Sequence, residues 1–478
     1  MKVSRGRLLS SLSAGLGLVA LLLPASAQAH GIVGKADLPI PVWLFSWAAA
    51  IVLVVSFVAL STLWQQPQLQ KQHRRRLFRL PRVVDGLASL VGVGLFVLVL
   101  YSGFAGAQVP NANFNVTFIY VIFWVGMPLA SVLFGDIFSA FNPWRTCARV
   151  VRRLIAVLPG QRSSSPPLRY PERLGLWPAA GVIAGFAWLE LVYIPADRER
   201  PSTLAALSLG YFLAMLAGMA LFGVEEWAER ADGFGVYFNL VSRLSPLCRD
   251  ADCVLYLRRA LSGITDLEVG AGTVGLICTI IGTTTFDGFS NGGVWRNIEP
   301  SLGNLFSDLG FNQTPALELT YTAGLIFCIF FIRLIYRVGI AGVRSVGSRY
   351  DTGELTNAFA HTLVPIGVAY VLAHYFSLLI WQSQAMVYLA SDPLGNGANI
   401  FGTSSYQIDY HVISYAAIWY VQVAALLSGH VAGLALAHDR ALVMYRDPEE
   451  AVRSQYWMLA VMVAFTSFGL WLLSSVGT

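Results

Sequence analysis

Apolar residues in this chain fall into blocks of about 20, each bounded by short polar stretches, and the blocks recur along the sequence. Ten of them lie at roughly 41–64, 84–105, 115–137, 175–195, 202–223, 268–286, 315–336, 357–380, 411–434 and 455–475. At a rise of about 1.5 Å per residue, such a block crosses a hydrocarbon core of about 30 Å as one helix. A membrane barrel would show short segments alternating with a period of two, and these blocks do not. The pattern predicts an all-α, polytopic helical membrane protein with about ten transmembrane helices in one multi-pass domain, 30–478. No internal repeat stands out, so the inverted-repeat design of many transporters is not invoked.

An eleventh, shorter block precedes these. Lys2, Arg5 and Arg7 lead into an apolar run from Leu8 to Leu23, broken by Pro24 and followed by Ala27-Gln28-Ala29. Positive start, short apolar run and small-residue site make up the secretory signal pattern, so residues 1–29 are expected to be removed. The alternative is an uncleaved first membrane helix. With the mature start outside, 25 Lys and Arg lie in the inner loops, which are 65–83, 138–174, 224–267, 333–356 and 436–455. The outer segments hold four: Lys35, Arg198, Arg200 and Arg296. Basic residues collect on the cytoplasmic side, so this split points to a bacterial inner (plasma) membrane protein with both mature ends periplasmic.

Composition narrows the classes further. The chain is 56% hydrophobic and 12% charged, against about 25% charged in soluble domains. The net charge of +5 is explained by the loop bias, so the expected partner is the lipid bilayer, with no nucleic acid. Cys147, Cys248, Cys253, Cys278 and Cys328 all fall outside the outer loops. Cys248 and Cys253 have no second ligand pair nearby and read as free thiols. The inner loops read as short helices on the membrane surface. The outer stretches Asp287 to Pro315 and Trp381 to Tyr410, rich in Gly, Asn and Ser, read as long loops. No phosphate-binding loop, dinucleotide fingerprint or Cys-x-x-Cys-His haem attachment occurs.

Ionisable residues inside spans are costly, so each is a functional candidate. Glu190 and Asp287 both end outward-running spans and are expected near each other, while Glu318 begins the seventh span. These three make a candidate proton or cation path. His361 and His374 sit on the eighth span, His411 and His430 on the ninth. The helical rise puts His374 about 20 Å outward of His361 and His430 about 28 Å inward of His411. That makes an outer tier, His374 and His411, and an inner tier, His361 and His430.

Three readings of these histidines stay open. Cleavage after Ala29 would leave His30 first, and its amine, its ring and one further histidine suit copper. The start His30-Gly31 is similar to that of the periplasmic subunit of particulate methane and ammonia monooxygenases, and copper-dependent polysaccharide oxygenases share the feature. The resemblance covers this one residue. It implies a copper site at His30 completed by His374 or His411, with Asp287 or Glu190 behind the ligands. The second reading is haem b between His361 and His430. The third is interhelical hydrogen bonding and packing. The functional expectation is a histidine-based metal or redox site near the periplasmic face, with other membrane or redox subunits as partners. The alternatives are a proton- or cation-coupled permease and a structural subunit of a membrane complex.

Overall fold

The structure is a computed structural model. It describes residues 42–70, 73–157, 166–346, 350–445 and 447–475. The expected signal, 1–29, and His30 lie outside the described residues. Among the described residues, eight helices are long and apolar enough to cross a membrane. They are α1 (Val42–Leu63), α2 (Arg82–Ala105), α3 (Phe114–Phe134), α6 (Pro201–Phe222), α11 (Gln313–Ser345), the pair α12 (Thr352–Phe359) and α13 (Val364–Gln382), α15 (Tyr415–Met444), and α16 (Pro448–Ser475). A 3₁₀ turn at Ala360–Leu363 joins α12 to α13 in one continuous run. Two further expected spans are shorter: α5 (Trp177–Leu191) has 15 residues and α9 (Thr273–Ser290) has 18. The protein is thus an all-α multi-pass membrane protein.

Its centre is α9, buried along nearly its whole length. A helix carrying Thr279, Thr283, Thr284 and Thr285 is tolerated there because each hydroxyl donates to a carbonyl three or four residues back, at 2.8–3.2 Å. Small residues set the closest contacts around it. A Cβ on Gly429 of α15 would stand 2.2 Å from the Ala369 Cβ of α13 and 2.7 Å from the Pro365 carbonyl oxygen. A Cβ on Gly433 would stand 2.8 Å from the Thr362 carbonyl oxygen. Glycine is what lets these two helices touch.

The loops gather at two ends. At one end lie the arginine-rich loops, which are more structured than the sequence pattern suggests. Strand β1 (Arg75–Arg79) pairs antiparallel with β3 (Val254–Leu257), and β3 with β2 (Leu247–Arg249), in the order β1-β3-β2. The expectation of surface helices fails here because two loops far apart in sequence satisfy each other's backbone. The β-forming run Val254-Leu255-Tyr256-Leu257 supplies the central strand. An Arg249–Asp85 ion pair ties the sheet to α2.

Two other parts of this end are helical. Helix α4 (Pro143–Val157) begins at the Asn142-Pro143-Trp144 turn, and α7 (Val224–Arg230) leads into α8 (Gly233–Ser242). Helix α8 is buried against α3 and α5 rather than lying on the surface. The carboxylate of Asp232 caps it, accepting the Gly235 N–H at 3.1 Å together with Asn142 Nδ2 at 2.8 Å, Trp144 Nε1 at 2.6 Å and Tyr211 Oη at 2.7 Å. Asn142 and Trp144 therefore serve an internal junction.

His438-Asp439-Arg440 lies in the last turns of α15. Asp439 is fully buried and accepts from Trp64 Nε1, the Gln68 and Leu69 amides and Gln70 Nε2. At the opposite end, the stretch expected as a loop from Asp287 to Pro315 instead folds as the end of α9 and α10 (Gly293–Asp308). Helix α10 exposes Val294, Ile298 and Leu305, while Trp295 inserts against Gly324 of α11. A short helix, α14 (Ala385–Ser391), precedes an irregular segment running to Ser414.

Candidate functional site

The site forms where α3, α5, α9 and α13 converge toward the arginine-poor end. Asp287 is in the last turn of α9 and only 9% exposed. Its Oδ2 accepts from His374 Nε2 at 2.8 Å and from Tyr375 Oη at 2.6 Å. Adjacent residues of α13 reach the same oxygen because Asp287 approaches that helix from the side. Asn291, one turn later, donates to the Asp287 carbonyl at 2.7 Å. Two strong donors on one oxygen, in a buried setting, hold the carboxylate in a single place.

Glu190, at the end of α5, is the second carboxylate. It is close enough to Asp287 for their charges to act on each other, and Arg198, in the following turn, acts on both. Tyr120 of α3 donates to the Arg198 carbonyl at 2.8 Å and fixes that turn over the site. Trp124, one turn further along α3, stands beside Glu190 and Tyr375. Its buried indole N–H faces these two groups. Both aromatics belong to a π-helical stretch, Phe118–Gly126, inside α3. The wider turn shifts the register of these side chains relative to the rest of the helix, and such bulges recur at functional positions.

Beneath the carboxylates the chain is aromatic. Trp124 packs on Phe186 at 4.7 Å between ring centroids and on Tyr237 at 5.9 Å, and Phe123 meets Phe234 at 4.9 Å. Phe234 and Tyr237 come from α8, so the buried helix of the arginine-rich loops supplies the floor. The arrangement pairs a polar cluster with an apolar barrier toward the arginine-rich end.

The remaining candidates have surroundings of their own. Glu318 is near the start of α11, and its Oε1 is shielded without a partner. Its carbonyl accepts from Thr322, whose hydroxyl in turn receives Trp188 Nε1 at 2.9 Å. His411 is exposed in the segment before α15, its amide bonded to Asp409. His430 is fully buried, with Nδ1 2.8 Å from the Leu426 carbonyl and its ring against Tyr370 and Phe465. His361 is buried in the 3₁₀ turn before α13. The glycine contacts at Gly429 and Gly433 bring the two histidine-bearing helices close together. Among the described residues, no three His, Cys, Asp or Glu side chains converge as a metal-ligand group.

Sequence reasoning singled out Glu190, Asp287 and His374 but missed Tyr375, Trp124 and Tyr120. Tyr375 adjoins a selected histidine, which was a signal. The other two look like ordinary apolar-span aromatics, and only the π-helical register turns them to the site. No family model, curated protein or solved structure matches this chain.

Proposed function

We propose that this membrane protein is a proton-coupled permease whose proton-binding groups are Asp287, paired with His374, and Glu190. One observation carries the reading: a buried carboxylate held by His374 and Tyr375, with a second carboxylate in electrostatic reach, at the end of membrane helices. Two acids whose charges act on each other titrate as a coupled pair, so a proton taken by one changes how the other holds its own, and intramembrane carboxylate–histidine groups are the usual material of proton relays. The positive-inside bias supports an outward-facing site in a bacterial inner membrane. The test is proton movement into proteoliposomes under an imposed pH gradient, followed with an entrapped pH dye. Loss of flux in both Asp287→Asn and Glu190→Gln supports the reading, and unchanged flux in both removes it.

A second reading keeps the metal. A carboxylate bonded to a histidine is also the arrangement found behind metal-bound imidazoles, and Asp287–His374 has that form. In that case copper would be held by His30 and His374. Copper content of purified mature protein and of His30→Ala decides it; equal content in the two variants ends this reading.

A further inference from the structure

We propose that a file of water runs between α13, α15 and α16, with His430 and His361 as stations, and that it carries protons between the Asp287–His374 site and the arginine-rich end. Its proton role rests on the permease reading above; the water itself does not. The observation is a run of buried polar atoms with no partner among the protein's own groups: Ser377 Oγ, Trp419 Nε1, Gln422 Oε1, His430 Nε2, His361 Nε2 and Gln455 Oε1. None of the six residues is more than 3% exposed. Leaving such atoms dry is costly, and their clustering in one part of the bundle asks for a common explanation.

Their chemistry selects the partner. His430 has its Nδ1 2.8 Å from the Leu426 carbonyl, so that nitrogen carries the hydrogen and Nε2 presents a lone pair. His361 is alike, one ring nitrogen serving the Ala358 carbonyl and Nε2 left over. The two glutamine oxygens are acceptors, whereas Trp419 Nε1 is only a donor. A cation would satisfy the acceptors and be repelled by the indole N–H, and an anion would do the reverse. Water does both.

The order along the membrane follows from the helix pairing. Helices α13 and α15 run antiparallel, with Trp381 against Tyr415 at one end, Ala369 against Gly429 in the middle and Thr362 against Gly433 beyond. Ser377, Trp419 and Gln422 therefore share the level of His374, which is three residues before Ser377. His430 follows, beside Tyr370 and Phe465 on the α16 side of the glycine seam, then His361. Gln422, His430 and His438 are eight residues apart in turn, about 12 Å per step. At the far end Gln455 Nε2 lies 3.3 Å from His438 Nδ1, and His438 Nε2 donates to the Trp64 carbonyl at 2.8 Å. Each transfer is balanced. A hydronium gives its proton to a histidine Nε2, leaving water and imidazolium, and the same nitrogen returns it to the next water.

The test is X-ray hydroxyl-radical footprinting of the full-length protein in nanodiscs, where labelling marks side chains beside bound water. Tyr370, Phe465 and Trp419 should be oxidised several-fold faster than the lipid-facing Phe327 and Phe330. Labelling no faster than those controls overturns the proposal whatever the flux. In proteoliposomes, His430→Phe and the near-isosteric Gln422→Leu should each slow proton entry at least about tenfold. Labelled water with wild-type flux in both variants overturns the proton role of the file. A wild-type protein that labels there but moves no protons overturns the permease reading and that proton role together, while upholding the water.

Discussion

His374 Nε2 lies 2.8 Å from Asp287 Oδ2, joining the middle of α13 to the last turn of α9. Tyr375 completes the link at 2.6 Å on the same oxygen. The bond is therefore both a structural tie between two membrane helices and the centre of the proposed proton site.

These two roles separate by substitution. Asp287→Asn keeps an acceptor for Tyr375 and His374 but cannot cycle a proton. It should fold with a thermal midpoint near wild type in detergent and lose proton flux by about 100-fold or more. Asp287→Ala should lose both, because it leaves two buried donors unpaired, at about 1–3 kcal/mol each.

Asp439 offers a stability test remote from that site. Four donors converge on its buried carboxylate from the segment Trp64 to Gln70. Asp439→Ala orphans all of them and should destabilise the protein by about 3 kcal/mol or more. Thermal unfolding in detergent measures the loss, and limited proteolysis should show the 64–70 segment released first.

Two glycines make a matched pair. Gly429→Val pushes a side chain into Ala369 and the Pro365 carbonyl, and should cost about 1–3 kcal/mol through overpacking. Gly210 has nothing within 4 Å of its Cβ direction. Gly210→Ala should be neutral or stabilising by up to about 1 kcal/mol, since alanine is the better helix former. Equal midpoints for the two variants would contradict the close α13–α15 contact.

A pH dependence is expected at the arginine-rich end. Burial by itself pushes the Glu225 carboxyl up, but Arg149 and Arg145 outweigh it and hold its pKa below the usual carboxylate value. A folded-state value below the unfolded one adds stability above the unfolded pKa of about 4.3. That stability is lost as pH falls through the folded value. The Glu225 side chain is 46% exposed, so solvent screening keeps the gain at or below about 1 kcal/mol. Glu225→Gln should thus lower the midpoint slightly at pH 7, less so in high salt, and the difference should shrink as pH falls below about 4.

The sequence by itself determined the class of the protein. Blocks of apolar residues longer than any soluble helix needs leave only a membrane-spanning bundle, because lipid offers no partner for an open backbone. It also marked Glu190, Asp287 and His374, since a charge within such a block is too costly to be incidental. The tertiary structure decided what those residues meet. That Asp287 reaches His374 and Tyr375 depends on which helix faces turn inward, and apolar blocks with little amphipathic bias do not encode that rotation legibly. The sheet from loops about 180 residues apart was hidden for a related reason: its backbone pairing joins segments whose local patterns do not refer to each other. The π-helical turn that carries Trp124 and Tyr120 was hidden too, since its residues read along the sequence as an ordinary apolar span.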